Sequence, residues 1–341
     1  MEILETGQFT DLRVERGEGC WLWDSEGHRH LDLLAGTWSC VLGHSHPEFS
    51  ARVAAQLKRL THVRPGLTTG EIRRACERLG AVLPGELNHI TFLNTGSEAV
   101  ELAIKIARVV TGKLQVVGTR QGFYGATNQA LVISETGRDQ VYLPRSGTIP
   151  PVPAPTCTSC PLGETSPGCD FGCLEAWREE NRYTLGRGIA AIIAEPVMAG
   201  TVLVPPPGHF VALREQAATY GGLLIADEVT TGLGRTGRWF GFQRDSCVPD
   251  ILVLGKALGN GLPVATVVTT GEVARSLAGR LWHVQSHQND PLPGAAACAV
   301  VEIMQKEDLI GQVKSTGLYL LGALQRRQME HPGVGEVRGP G

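Results

Sequence analysis

Four short apolar runs, each ending on a chemically useful residue, constrain this chain more than any other feature. Residues 90–93 lead to Asn94, residues 190–194 to Glu195, residues 222–226 to Asp227, and residues 251–254, through Gly255, to Lys256. Each run has the length of a strand and is almost wholly apolar, the pattern of a strand covered on both faces in a parallel sheet. Helical spacing lies between some of them. Over residues 97–110, Val100, Ala103, Ile104, Ala107 and Val110 fall on one stripe, and residues 209–220 read as a second helix. Strands alternating with helices argue for an open α/β sheet. Ligands of such sheets bind beyond the carboxyl ends of the strands. Parallel strands would therefore set Asn94, Glu195, Asp227 and Lys256 along one edge of one sheet.

The 341 residues leave room for roughly two domains and a large core. The boundaries read as an N-terminal segment over 1–45, a large domain over 46–300, and the start of a smaller C-terminal domain over 301–341. Residues 144–173, rich in Pro, Ser, Thr, Gly and Cys, read as a long excursion, and residues 335–341 as the start of a strand. A net charge of −3 gives no electrostatic footprint for nucleic acid or an anionic membrane. No run approaches the ~18 apolar residues of a membrane span. The first ten residues lack the basic flank and apolar centre of a signal peptide. A cytoplasmic protein with its nine cysteines reduced is the expectation.

Taken singly, the strand-end residues are weak signals. Gly96-Ser97 could be an ordinary helix start, Asp227 a turn or cap residue, Lys256 a solvated lysine, and Glu195 half of an ion pair. Together they match one chemistry. A lysine forms a Schiff base with an aldehyde. Pyridoxal 5′-phosphate (PLP) brings an aldehyde, a phosphate and a pyridine nitrogen. The phosphate needs the free N–H groups of a glycine-opened helix start. The nitrogen needs a carboxylate to hold its proton, so that the ring can act as an electron sink. The lysine needs partial burial to be unprotonated near neutral pH, and residues 253–263 around Lys256 are apolar and glycine-rich.

At these residues the chain resembles the class III (ω-amino-acid type) aminotransferases of PLP fold type I. The matching stretches are LGHSHPE (42–48), NTGSEAVELAIKIAR (94–108), AEPV (194–197), ADEVTTGLGRTG (226–237), PDILVLGKALGNGLP (249–263) and NDPLPGAAA (289–297). The resemblance implies an α/β large domain with a mostly parallel sheet. It implies that Lys256 holds PLP covalently and shuttles a proton, and that Asp227 pairs with the ring nitrogen. Val229 and Phe123 would lie on the two ring faces, with Phe123 as a core residue the bland alternative. Gly96 and Ser97 would bind the phosphate, and Ser286 would reach the phosphate of a neighbouring subunit, implying a homodimer with shared sites. Glu195 would lie near the substrate. An amino acid or amine donor and an oxo-acid acceptor would be the small-molecule partners.

Some positions depart from that pattern. Thr230 stands where the family often has a glutamine, and Tyr124 replaces a common histidine. The family continues for roughly another small domain after the equivalent of residues 337–339, and usually draws its substrate-carboxylate arginine from there. The resemblance thus implies a chain cut short. Residues 42–48 and 286–294 resemble dialkylglycine decarboxylase in particular, but the positions that orient its departing carboxylate carry Thr37 and Phe123. Transamination is therefore favoured over decarboxylation or racemisation. A decarboxylase-type alkali-ion site would draw on Ser286, Gln288 and Asp290. A reading of another class, a truncated non-catalytic binding partner, rests on the short C-terminus.

Two further signals stay open. Cys157, Cys160, Cys169 and Cys173 could hold zinc, remain reduced thiols or pair as disulfides. His44 and His46 form H-x-H before Pro47, read as a loop near the cofactor rather than a metal site. No metal ligand is assigned.

Overall fold

The computed structural model describes residue 4 and residues 10–136, 149–157, 160, 162–163 and 168–340. The N-terminal segment forms an antiparallel three-stranded sheet, β1 (Val14–Glu18), β2 (Trp21–Asp24) and β3 (Arg29–Leu31). The rest is organised on a six-stranded sheet of β4 (Leu87–Leu93), β5 (Val116–Val117), β6 (Ala191–Ala194), β7 (Leu223–Asp227), β8 (Ile251–Leu254) and β9 (Ala265–Thr270). Its order is β4-β9-β8-β7-β6-β5. β5 through β8 pair in parallel, and β9 is antiparallel to both of its neighbours. β4 and β5 to β8 therefore all run the same way, and the carboxyl ends of the four sequence-predicted strands share one edge. The exception has a chain-length cause. Only residues 255–264 join β8 to β9, too few for the helical crossover that a parallel neighbour needs.

The apolar runs are explained by burial on two faces. Along β6, β7 and β8 successive side chains alternate between two cores. Ile192, Leu224, Ala226, Leu252 and Leu254 enter one, while Ile193, Ile225, Ile251 and Val253 enter the other. Helix Gly96–Thr111 covers the second face with Val100, Ala103, Ile104 and Ala107. Helices Gly70–Gly80, His209–Thr219 and Pro291–Lys306 cover the first. Each fully buried Leu or Ile contributes about 1.5–3 kcal/mol of transfer free energy.

Two expectations change. The excursion over 144–173 is shorter among its described residues, because helix Gly172–Glu180 has begun by Cys173. Residues 335–340 form no strand. Pro291–Lys306 runs through residue 300 as one helix and is followed by helix Leu309–Glu330.

Candidate active site

The carboxyl edge of the sheet opens into a cleft of about 340 Å³. Gly96, Ser97, Phe123, Glu195, Asp227, Val229 and Lys256 all line it. Ser286 does not; it is exposed, in the turn before Pro291.

Each cleft residue is placed by local backbone chemistry. Thr95 caps helix Gly96–Thr111: its Oγ1 accepts from Glu98 N at 3.2 Å, and Glu98 Oε2 accepts from Thr95 N at 3.1 Å. Among the described residues, the N–H groups of Gly96 and Ser97 have no protein partner at the positive end of the helix dipole. A Cβ on Gly96 would stand 2.8 Å from Val229 Cγ1, and one on Gly125 would stand 2.6 Å from Ser97 Oγ. Both glycines are needed for this close approach. Lys256 follows β8 in the left-handed region, at φ 43°, a conformation that a non-glycine residue holds only where its surroundings over-determine it.

Asp227 is 4% exposed. Its Oδ1 accepts from Val229 N at 3.0 Å, and among the described residues no hydrogen bond reaches Oδ2. Burial raises its pKa to about 6, opposed by the Val229 N–H and the charge of Lys256. Glu195 rises to about 8, first through burial and then through Asp227, although the N–H groups of Ala199 and Phe123 and the Lys256 charge pull it down. The Lys256 ammonium is pushed below its ordinary value by burial, with Arg235 adding repulsion and the two carboxylates opposing it.

Neutral acids fix the sign of the pH response. A carboxyl whose folded pKa is raised stabilises the fold fully below its unfolded pKa, and loses that contribution as pH rises through the folded value. For Glu195 the loss falls between 4.5 and about 8. Glu195→Gln is expected to flatten the decline in melting temperature of the PLP-free protein over that window. An unchanged slope by differential scanning fluorimetry would contradict this.

Three residues near Lys256 escaped the sequence reading. Trp38 carries its ring 4.8 Å from Lys256 Nζ. It ends a stretch, residues 35–38, in which every φ is positive. Arg235, half-buried, donates to Trp38 O at 2.7 Å, and its Nε has no partner among the described residues. Thr230, noted only as a departure, accepts from Lys256 Nζ at 2.6 Å. Tyr124 is buried, its hydroxyl 2.6 Å from Thr119 Oγ1 and donating to Ile193 O at 3.0 Å. Neither histidine of the H-x-H turn lines the cleft, but Leu42 N and Gly43 O just before it bond the side chain of Asn260, in the turn that follows Lys256. His44 pairs with Asp32 at 2.7 Å, and His46 caps helix Pro47–Arg59 through Phe49 N. The residues of the alkali-ion reading lie outside the cleft too. Asp290 meets His62 and His287, and Gln288 donates to Thr91 Oγ1.

The family model described as aminotransferase class-III matches residues 5–341. Human mitochondrial alanine–glyoxylate aminotransferase 2 is 33% identical over 97% of this chain and 68% of its own length. Acetylornithine aminotransferase of Streptomyces coelicolor is 35% identical over 97% and 76%. Among solved structures, the (S)-enantioselective omega-transaminase of Thermomicrobium roseum superposes with a TM-score of 0.87 at 34% identity, covering 96% of this chain and 76% of that one. A PLP-bound amine transaminase from an uncultivated Pseudomonas species reaches 0.92 at 29%, covering 99% and 82%. The sheet, the lysine at its edge and these likenesses agree that the chain belongs to the class III aminotransferases. It is a PLP-dependent aminotransferase of fold type I, acting between an amino donor and an oxo acid.

Proposed function

We propose that the cleft around Lys256 is the transamination site and that its residues divide the work as follows. The observation that carries the reading is the convergence in one cleft of a half-buried lysine, a buried carboxylate and a helix start whose first N–H groups have no partner among the described residues. The donor set fits PLP: the free N–H groups of Gly96 and Ser97 suit its phosphate, Asp227 Oδ2 suits the ring nitrogen, and Val229 and Phe123 suit the ring faces. When bound, PLP supplies an aldehyde for covalent attachment and a ring that accommodates the electron pair left at the substrate Cα.

The chain supplies the proton handling. Burial favours the neutral amine of Lys256, and with the cofactor bound Nζ would be placed to take a proton from the substrate Cα and hand one back on the cofactor side. Thr230 and Trp38 limit where Nζ points. Asp227, as carboxylate, holds the proton on the ring nitrogen. Glu195, protonated at neutral pH and beside the substrate space, presents a donor rather than a charge to the incoming group. Gly96→Ala is expected to displace Val229 and the phosphate contacts. Overpacking of this kind destabilises by about 1–3 kcal/mol, and PLP affinity should fall with it, as a PLP titration followed by absorbance will show.

Ser286 is proposed to complete the phosphate site of a second subunit in a homodimer. Trp282 and Val284, 89% and 53% exposed just before it, support a covering partner there. The organisation into segments 1–45, 46–300 and 301–341 is kept as a proposal. A cytoplasmic setting is kept as a proposal; no helix among the described residues is long and apolar enough to cross a membrane.

Product analysis tests the reading. With an amino donor and no acceptor, the protein should release one equivalent of oxo product and leave pyridoxamine phosphate, without CO₂. Carbon dioxide, or inversion of the donor without an oxo product, would contradict it.

A further inference from the structure

Away from the Lys256 cleft, three ligand-type side chains meet at the start of helix Pro291–Lys306. His62, in the connection between helices Pro47–Arg59 and Gly70–Gly80, sets Nδ1 2.8 Å from Asp290 Oδ1 and 2.9 Å from Oδ2. His287 sets its Nδ1 2.8 Å from Oδ2. The ligand atoms of all three lie within 4.8 Å of one another. The Asp290 side chain is 3% exposed, whereas those of His62 and His287 are 44% and 60% exposed.

A buried carboxylate needs a compensating charge. Among the described residues no lysine or arginine pairs with Asp290; its ion-pair partners are these two imidazoles. Neutral imidazoles supply N–H donors but no charge. Two imidazolium rings with centroids 4.8 Å apart would repel each other across a single anion. Val63 N also donates to Asp290 Oδ1, at 3.2 Å, and a divalent cation would engage the carboxylate and both Nδ1 atoms at once, with each imidazole keeping its proton on Nε2.

We propose that His62, His287 and Asp290 form a site for a divalent first-row transition metal, zinc or cobalt, with water completing the coordination. Two imidazole nitrogens and a carboxylate suit such ions, whereas magnesium and calcium prefer all-oxygen shells. Zinc–ligand bonds of about 2.0–2.2 Å in a tetrahedron separate ligand atoms by about 3.3 Å. The observed contacts of 2.8 Å and the 4.8 Å spread bracket that value, and both rings are exposed enough to rotate the remaining fraction. The ion would tie residue 62 to the turn over 286–290. That turn is already held on β4, where Asn289 Oδ1 accepts from Phe92 N at 2.8 Å. Metal binding would thus fix the segment that carries Ser286.

The test uses the tag-free, PLP-loaded full chain stripped with a chelator and titrated with cobalt(II). One ion per chain, with the weak visible absorption of tetrahedral cobalt and displacement by zinc, is expected. His62→Gln and His287→Gln change exposed side chains and keep an amide donor for Asp290, so folding should be retained by circular dichroism. Each should weaken cobalt binding about 100-fold or more, since even outer partners of a metal site are worth 10–100-fold. Absence of a visible band, or equal affinity in both variants, overturns the site. An intense thiolate-to-cobalt band in the near ultraviolet also overturns it, by moving the metal to Cys157, Cys160, Cys169 and Cys173.

Discussion

Lys256→Ala is expected to lower the rate of transamination by about 10⁴-fold, the upper range for a positioned acid–base group, with an effect on kcat rather than KM. The same side chain is proposed to attach the cofactor and to carry the proton between two carbons, so one substitution removes both. Folding should survive. The side chain is only half-buried, its bond is to Thr230, and the left-handed backbone at residue 256 is as accessible to alanine as to lysine. A linked change follows in the neighbouring acid. The charge of Lys256 holds the Asp227 carboxyl down, and burial holds it up at about 6. Without the lysine, Asp227 should titrate higher still, and the loss of stability with rising pH should extend further upward. Single-turnover kinetics and a pH series of melting temperatures check the two halves separately. A variant within tenfold of the parent rate would remove Lys256 from the chemistry.

Asp227→Asn is expected to lower kcat by about 10²–10³-fold, the range for losing one preorganised electrostatic group. The amide oxygen can still accept from Val229 N, as Oδ1 does at 3.0 Å. The geometry of the β7 end is therefore kept while the charge proposed to face the ring nitrogen is lost. The defect should be electronic and repairable. A cofactor analogue methylated at the ring nitrogen carries its positive charge permanently and should restore much of the rate. Failure of the analogue, together with a normal rate for the PLP-loaded variant, would assign Asp227 a structural role only.

The strand ends were legible because their signal is local. A run such as residues 251–254 can be apolar throughout only if both faces are covered, and Lys256 follows at a fixed distance in the chain. Helix Gly96–Thr111 was legible for the same reason, through its stripe and its Thr95 cap. β9 was missed because Ala265–Thr270 mixes threonines with valines and only the single 3₁₀ turn Lys256–Gly259 separates it from β8. Trp38 and Arg235 were missed because their relevance comes from tertiary structure. Nothing in residues 35–38 announces four consecutive positive φ values, and the Arg235–Trp38 bond joins positions 197 residues apart. Asp290 was read as an oxygen ligand only through the resemblance of residues 286–294 to dialkylglycine decarboxylase. Its pairing with His62 spans 228 residues and has no trace in local sequence.

Borohydride reduction of the PLP-loaded protein, followed by peptide mapping, bears most directly on the central claim. A single phosphopyridoxyl group on Lys256, absent from Lys256→Ala, is the expected result. Label on any other lysine, or none after PLP is supplied, would contradict it.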